Sequence, residues 1–436
     1  MAEPLHNRRE IAIRVPVLAR VEGEGALEVT ARGGTIEELR LRIYEPPRLF
    51  EKFLEGRDYF EVADMVARIC GICPVAYQMS AVQALEQVFA CDPGSRVRSL
   101  RRLMYCGEWI QSHSLHIHLL ALPDFLGYGS APEMARDHPQ EVRRGLRLQQ
   151  LGNDLIRLLG GRSVHPVGVR VGGFHRSPTR EEASALLSRL REALPEAEAL
   201  VEWTAQLPVP EDRQDFVSVA LRHPSEYAMN EGRLVSTDGL DIAIDEFDRH
   251  FEERHVPHST ALHGLLHGKP YLVGPLARLN LNLDRLPGEV ISVLHRSRVT
   301  FPSRNMFHSI VARAVELLFA VGEAIRLLSE YRAPSAPHVE VSPRAGVGFG
   351  CTEAPRGILW HRYEVDEGGH IQSARIVPPT SQNQARIEED LRLSLQALGL
   401  DHSDEELRLR GEMVIRNYDP CISCATHFLN LTVTRR

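Results

Sequence analysis

The chain has 436 residues, 43% of them hydrophobic and 25% charged, with a formal net charge of −7. That apolar content suffices for a large buried core, and so mild a negative charge gives no electrostatic reason to expect a nucleic-acid partner. No stretch approaches the roughly 20 apolar residues of a membrane span, and an odd count of seven cysteines argues against a disulfide framework.

Residues 11–30 read as an extended, glycine-punctuated hairpin with Glu22 near its turn, and 35–44 alternate as a strand does. Residues 59–89 take a helical period, broken at Cys70 and Cys73 by Gly71 and Pro74. A long helix is predicted over 96–122, ending before Pro123, and a second over 139–159, stopped by Gly160 and Gly161. The arginines between 96 and 102 read as a solvated helix face. A third helix over 179–207 opens on Thr179 as cap, and Pro195 is expected to kink or split it.

Residues 208–267, rich in Pro, Gly and charge, read as loops and short strands. An amphipathic helix is predicted over 303–331, with Met306, Ile310, Ala314, Leu317 and Leu318 as its core stripe. Strands follow at 339–341 and in a hairpin over 358–376 about Glu367-Gly368-Gly369. Two helices over 385–398 and 403–416 then lead to the chain end. The expected fold class is α+β, predominantly helical, in one unit over 1–436. Its lobes are a β-rich part at about 10–50, a helical body at about 59–207, an irregular part at about 208–300 and a final part at about 301–427.

Two cysteine pairs carry the chemistry. Cys70 and Cys73 stand in Arg68-Ile69-Cys70-Gly71-Ile72-Cys73, and Cys421 and Cys424 in Asp419-Pro420-Cys421-Ile422-Ser423-Cys424. C-x-x-C spacing lets two thiolates converge on one centre. Four thiolates at one point make a zinc site, an iron–sulfur site or something rarer. Cys91, Cys106 and Cys351 have no partner at ligand spacing and read as small buried hydrophobes. The first ten residues hold no apolar run of export length, so a reducing, cytoplasmic location is expected.

The flanking residues choose among the metals. With Ala425-Thr426-His427 appended to the second pair, the two motifs resemble the signatures of the large, catalytic subunit of nickel–iron hydrogenases. Arg20-Val21-Glu22-Gly23, Phe50-Glu51-Lys52-Phe53, Gly160-Gly161-Arg162-Ser163-Val164-His165-Pro166 and Glu353-Ala354-Pro355-Arg356-Gly357 extend the resemblance along the chain in the family's order. The resemblance implies a central helical bundle with small peripheral sheets. It implies that Cys70 and Cys421 are terminal ligands of nickel, and that Cys73 and Cys424 bridge to an iron carrying carbon monoxide and cyanide. Four thiolates would saturate a structural zinc, whereas two metals sharing two thiolates leave an open position between them.

Further roles follow from the resemblance. Arg356, beside Pro355, would hang over the metal pair and favour the cyanides by charge-assisted hydrogen bonds, with Asp419 orienting it. Arginine is a poor base, so the thiolate of Cys421 is expected to take the proton from dihydrogen and Glu22 to hand it on. Thr380 is expected to donate its hydroxyl to a cyanide nitrogen, and Glu51 and His427 to bind a second, hard ion, magnesium. His113, His116, His118 and His165 are expected to hydrogen-bond near the site and not to ligate. Where many family members carry a histidine this chain has Tyr77, whose phenol could donate near Cys73, and Ser112 replaces an acidic residue.

The run Pro74-Val75-Ala76-Tyr77-Gln78-Met79 resembles the cytoplasmic, nucleotide-coupled, sulfhydrogenase-like branch. The chain has no dinucleotide fingerprint and too few cysteines for further clusters. Electrons would therefore leave through partner subunits, one small and iron–sulfur-bearing, the others flavin-bearing diaphorases, to NADP or NAD, with a deazaflavin carrier as alternative. Metal-insertion chaperones and a maturation protease are expected partners, and the stretch 428–436 after His427 is expected to persist and pack. The competing readings are a dihydrogen sensor, a quinone-pocket relative, which would lose these cysteines, and a four-cysteine zinc protein.

Overall fold

The computed structural model describes residues 10–334 and 336–426, so His427 and the stretch 428–436 lie outside the described residues. Strands β1 (Glu10–Val15), β2 (Gly25–Arg32) and β3 (Thr35–Ile43) form an antiparallel sheet in that order. Alternation in β1 turns Ile11, Ile13 and Val15 inward. Glu22 lies in the loop between β1 and β2, as expected. Helices α1 (Phe50–Leu54) and α2 (Tyr59–Val66) lead to the first cysteine motif, and α3 (Pro74–Phe89) leaves it with Pro74 in its first turn.

The long helices α4 (Gly94–Leu115), α7 (Pro139–Gly160), α8 (Arg180–Thr204) and α12 (Ser309–Ser329) pack into a bundle, with short α5 (Leu122–Leu126) and α6 (Ala131–Met134) between the first two. The expected stop before Pro123 is corrected. A π-helical stretch, His116–Ala121, carries the chain from α4 into α5, and Pro123 sits in the first turn of α5, where a missing N–H costs no bond. Pro195 does not split α8: it faces solvent, which can satisfy the freed carbonyl. The arginine reading holds only in part. Arg96 and Arg98 are exposed, but Arg101 is buried on Glu86 at 2.7 Å and Arg102 on Glu323 at 2.6 Å.

Between α7 and α12 lie the short hairpin strands β4 (Val169–Arg170) and β5 (Gly173–Phe174). A small sheet of β6 (Val219–Arg222), β7 (Arg233–Ser236) and β8 (Asp241–Ile242) follows, then α9 (Phe247–His250). Strands β9 (Phe251–Arg254) and β10 (His263–Leu266) pair, and α10 (Pro275–Asn282) and α11 (Gly288–Ser297) complete this region. The expected stripe of α12 is buried, but so are Arg313 and Glu316: the first half of the helix is buried all round, and only its last turns are amphipathic, with Arg326 and Ser329 exposed. It begins at Ser309 and not 303, after a 3-10 turn capped by the Asn305 side chain at 3.0 Å. Residues 339–341 form no strand: Pro337 and Pro343 remove donors, and only one bridge, Gly173 to His338, forms.

The C-terminal sheet is β11 (Gly346–Ala354), β12 (Gly357–Val365) and β13 (Ile371–Val377), followed by α13 (Pro379–Leu398) and α14 (Asp404–Asn417). Strand β11 has no counterpart in the sequence reading, and α13 starts six residues before the expected 385. A β-carbon on Gly350 would lie 1.9 Å from Ser80 O, and one on Gly348 2.1 Å from Ala84 O, so these glycines let α3 lie directly on β11. Ser80 Oγ meets Thr352 Oγ1 at 2.7 Å. This close contact brings the first cysteine motif, at the start of α3, beside Ala354 to Arg356 at the end of β11.

Candidate metal centre

The two cysteine motifs meet. Cys70 Sγ lies 3.6 Å from Cys421 Sγ, 351 positions along the chain, and Cys73 Sγ lies 3.9 Å from Cys424 Sγ. Cys421 Sγ and Cys424 Sγ are 2.6 Å apart, and all four sulfurs lie within 4.8 Å of one another, buried. Burial works against ionising Cys70, but S–H donation from Cys421, Cys424 and Cys73 holds it well below the usual thiol range. The N–H groups of Ile72 (3.3 Å) and Cys73 (3.1 Å) also point at Cys70 Sγ. The hydrogen bond to Cys421 pushes Cys73 well above that range, as burial does for Cys421 and Cys424. Sulfurs this crowded cannot all be thiolates without a cation among them. The donor set therefore fits a soft or borderline metal.

The second motif is held from three sides. Ile422 N–H donates to Glu22 O at 3.0 Å, Cys421 N–H to Thr380 Oγ1 at 3.0 Å, and Arg48 N–H to Thr426 O at 2.6 Å. The Arg48 guanidinium joins the two motifs by donating to Ile69 O at 2.6 Å and to Ser423 O. Cys421 Sγ stands 3.2 Å from Glu22 Oε2, which also accepts Ser423 N–H at 3.1 Å, and Ser423 Oγ donates to Glu22 Oε1. Arg20 anchors the Glu22 loop, with Nη1 on Leu120 O at 2.6 Å and Nη2 paired to Asp124. Gly23, at φ +89°, lies where a β-carbon would meet Ile422 Cβ at 2.6 Å.

Arg356 is buried and fixed by Asp419, with Nη2 on Asp419 Oδ1 at 3.0 Å and Nε on Asp419 O at 2.5 Å. Burial opposes its charge, but Asp419 and the neighbouring cysteines outweigh it and raise the guanidinium well above its ordinary pKa. Burial likewise opposes the charge of Asp419, and Arg356, His116 and Arg313 overcome it and lower the pKa. Arg356 Nη1 is buried without a hydrogen-bond partner among the described residues. A spare donor on a guanidinium beside the sulfurs fits an anionic group bound at the centre.

Behind Arg356 lies a buried network that sequence reasoning missed. Arg278 donates to Ala354 O (2.7 Å) and Pro355 O (3.0 Å), fixing the two carbonyls before Arg356. The same guanidinium pairs with Glu316 at 2.7 Å and Glu353 at 3.0 Å, and Tyr227 Oη donates to Glu316 at 2.7 Å. Burial would raise Glu316, but Arg278 and His113 bring it down to about 2, whereas burial wins for Glu353, at about 7. Also unforeseen is Glu108, which accepts the N–H groups of Val75 (2.6 Å) and Ala76 (3.0 Å) at the start of α3. Glu108 precedes the helical histidines on α4, and no sequence motif marks it.

The remaining expected residues fall as follows. Thr380 lies in the first turn of α13, and its hydroxyl oxygen accepts from Cys421 N–H. Tyr77 Oη is buried without a hydrogen-bond partner among the described residues, so the expected donation near Cys73 is not made. Glu51 accepts Ile376 N–H at 2.7 Å. Its expected co-ligand His427 lies outside the described residues. His113 Nε2 meets Glu316 at 2.9 Å, His116 Nε2 Arg416 O at 2.8 Å, His118 Nδ1 Ser114 O at 2.9 Å and His165 Nδ1 Ala67 O at 2.7 Å.

Burial lowers His113 to about 4 and His116 and His118 to about 3, from 6.5. These imidazoles stay neutral in the fold while the unfolded chain takes up protons below pH 6.5, so their contribution is lost as pH falls. Glu353, at about 7 against 4.5, and Asp390, at about 6 against 3.8, act the other way and gain stability on acidification. His263, at about 4, joins the imidazoles, and Glu108 and Glu388, also raised by burial, join the carboxyls. The histidine share is read by difference: the melting temperature of His118→Gln should fall less between pH 6.5 and pH 4 than that of the wild type, as calorimetry would register; an equal fall would contradict the assignment.

The chain matches the nickel-dependent hydrogenase family over residues 48–144 and 257–427. It is 33% identical to the alpha chain of sulfhydrogenase 1 of Pyrococcus furiosus over 425 residues, covering 97% of this chain and 99% of that protein. It is 30% identical to one of the subunits of the F420-non-reducing hydrogenase of Methanothermobacter thermautotrophicus, covering 96% of this chain and 95% of that one. A solved NAD+-reducing [NiFe]-hydrogenase in its H2-reduced state superposes with a TM-score of 0.85 at 29% identity, covering 95% of this chain and 99% of that one. With its four cysteines at one point and its fold shared end to end, the chain belongs to the nickel-dependent hydrogenases, as their large, catalytic subunit.

Proposed function

We propose that this protein catalyses the reversible heterolytic cleavage of dihydrogen at a nickel–iron centre held by Cys70, Cys73, Cys421 and Cys424, and that the electrons reach NAD(P) through partner subunits. The observation that carries this reading is the meeting of both sulfur pairs in one buried cluster. The arrangement pairs Cys70 with Cys421 and Cys73 with Cys424, which suits terminal and bridging roles respectively. When bound, the nickel–iron pair, its iron carrying carbon monoxide and cyanide, supplies the hydride acceptor and the route for electrons.

The chain's own residues handle the proton. Cys421 Sγ accepts it and passes it over 3.2 Å to Glu22 Oε2, within range for direct transfer. Ser423 orients the Glu22 carboxyl through its N–H and hydroxyl. Glu45, which accepts Glu24 N–H at 3.3 Å, stands next outward. Arg356 remains cationic, holds the anionic ligands with its spare Nη1, and is aimed by Asp419. Thr380 positions Cys421 by accepting its backbone N–H. Glu51 and His427 would hold a magnesium ion near the C-terminus.

The partners follow from the relatives. The Pyrococcus protein is named as an alpha chain, and the superposed solved structure as a NAD+-reducing [NiFe]-hydrogenase. A cluster-bearing small subunit, together with a flavin-bearing diaphorase, is what this reading requires, with a maturation protease and metal-insertion chaperones before them. No helix among the described residues is long and apolar enough to cross a membrane, which agrees with a cytoplasmic complex.

Metal analysis of the purified complex should give one nickel per copy of this chain, with iron in excess because the partner subunits carry clusters, and infrared bands of bound carbon monoxide and cyanide. Dihydrogen-dependent reduction of NADP or NAD should accompany them. Absence of nickel would overturn the reading. Nickel present without reduction of any soluble carrier would favour a sensor.

A further inference from the structure

A second cluster of metal-ligating side chains lies away from the four cysteines. His258, His263 and Glu388 place one ligand atom each within 4.8 Å of one another. His258 Nε2 stands 2.7 Å from Glu388 Oε1, and His263 Nδ1 4.0 Å from Glu388 Oε2, so one carboxylate faces both imidazoles. The rings are nearly perpendicular, at 85° with centroids 5.8 Å apart. Glu388 lies eight residues after Thr380 on α13, about 12 Å along the helix at 1.5 Å per residue.

Three features mark a built site. The backbone under each ligand is fixed: Thr260, between the histidines, donates N–H to Ile43 O at 2.8 Å and Oγ1 to Glu45 O at 2.9 Å. His263 opens β10, paired to Arg254 of β9. The carboxylate is oriented by an outer partner, Leu41 N–H, at 2.9 Å on Oε1. Finally, the His263 side chain is 6% exposed and its Nε2 has no hydrogen-bond partner among the described residues. The nitrogen turned toward Glu388 is Nδ1, so the buried ring is placed to ligate through that atom.

We propose that His258, His263 and Glu388 bind a divalent cation of the zinc type, clipping the β9–β10 hairpin to α13. Two imidazole nitrogens and one carboxylate oxygen form a borderline donor set suited to zinc and not to magnesium. His258 and Glu388, at 18% and 19% exposure, leave a solvent-facing side through which the ion enters and water completes its coordination.

The assembled complex, stripped of loosely held ions by dialysis against a chelator and then titrated with zinc chloride, tests the site. The wild-type complex should take up one zinc per chain, while nickel and iron stay constant. His263→Ala should weaken that uptake more than about 100-fold, since losing a mere outer partner costs 10–100-fold. His258→Ala, at a partly exposed position, should do the same if His263→Ala misfolds. Zinc uptake equal in wild type and variants, or none in the wild type, would overturn the proposal. Because nickel and iron are counted in the same samples, loss of the thiolate centre reads separately from loss of this one.

Discussion

Glu22→Gln should leave nickel and iron contents unchanged and lower dihydrogen turnover by about 10²–10⁴-fold, the usual worth of a placed proton carrier. Glutamine keeps the shape and can still accept Ser423 N–H, which meets Glu22 Oε2 at 3.1 Å. It cannot carry a proton away from Cys421 Sγ, 3.2 Å distant in the native chain. The readout that isolates the step is exchange of deuterium gas with water protons, which should fall with turnover. Unchanged exchange would remove Glu22 from the proton path. A parallel loss of metal would assign it a structural role instead, since its carboxyl also accepts from the N–H and hydroxyl of Ser423.

Arg278→Met should be the most destabilising single change in the region around the site. The side chain is 1% exposed and neutralises Glu316 and Glu353, both 0% exposed. Removing one partner of a buried charge set costs about 3–5 kcal/mol, because the others stay desolvated and unpaired. Tyr227 and His113 would still bond Glu316, but no other cation among the described residues takes the place of Arg278 in its contact with Glu353. The melting temperature should drop by several degrees, and Glu316→Gln added to Arg278→Met should restore part of the loss. A melting temperature within error of wild type would show that the carboxyls protonate freely instead. Activity should fall further than stability, since the carbonyls of Ala354 and Pro355 lose the donors that fix Arg356.

Much of this is legible in the residues because local rules and tertiary packing agree. Thr179 and Ser403 cap α8 and α14 as their spacing from Glu182 and Glu406 predicts. The glycine pair at 368–369 turns the β12–β13 hairpin. The cysteine spacing, read with its flanks, points to the centre. Where the reading fails, tertiary contact overrides the local signal. Alternating glycines in Gly346-Val347-Gly348-Phe349-Gly350 look like a loop, yet they form the strand face on which α3 rests. Arg101, Arg102, Arg278 and Arg313 are polar by type and buried by pairing, which composition cannot reveal. Arg48 carries no motif at all, yet it ties Ile69 O to Ser423 O. Thr380 lies against Cys421, where its hydroxyl oxygen accepts a backbone N–H and keeps its own proton to donate.

The strip carrying Cys421 and Cys424 enters a slot whose walls come from remote stretches: Glu22, Arg48 and Thr380. Neither half of the thiolate cage encloses an ion unaided. Once this strip is seated, release of an ion is expected to require that it lift away, breaking its bond to the Glu22 carbonyl and its contact with Arg48. Dissociation is then timed by the unzipping of a peptide segment and not by ligand exchange at sulfur, so a chelator's strength should matter less to extraction than any treatment that loosens the last few residues of the slot.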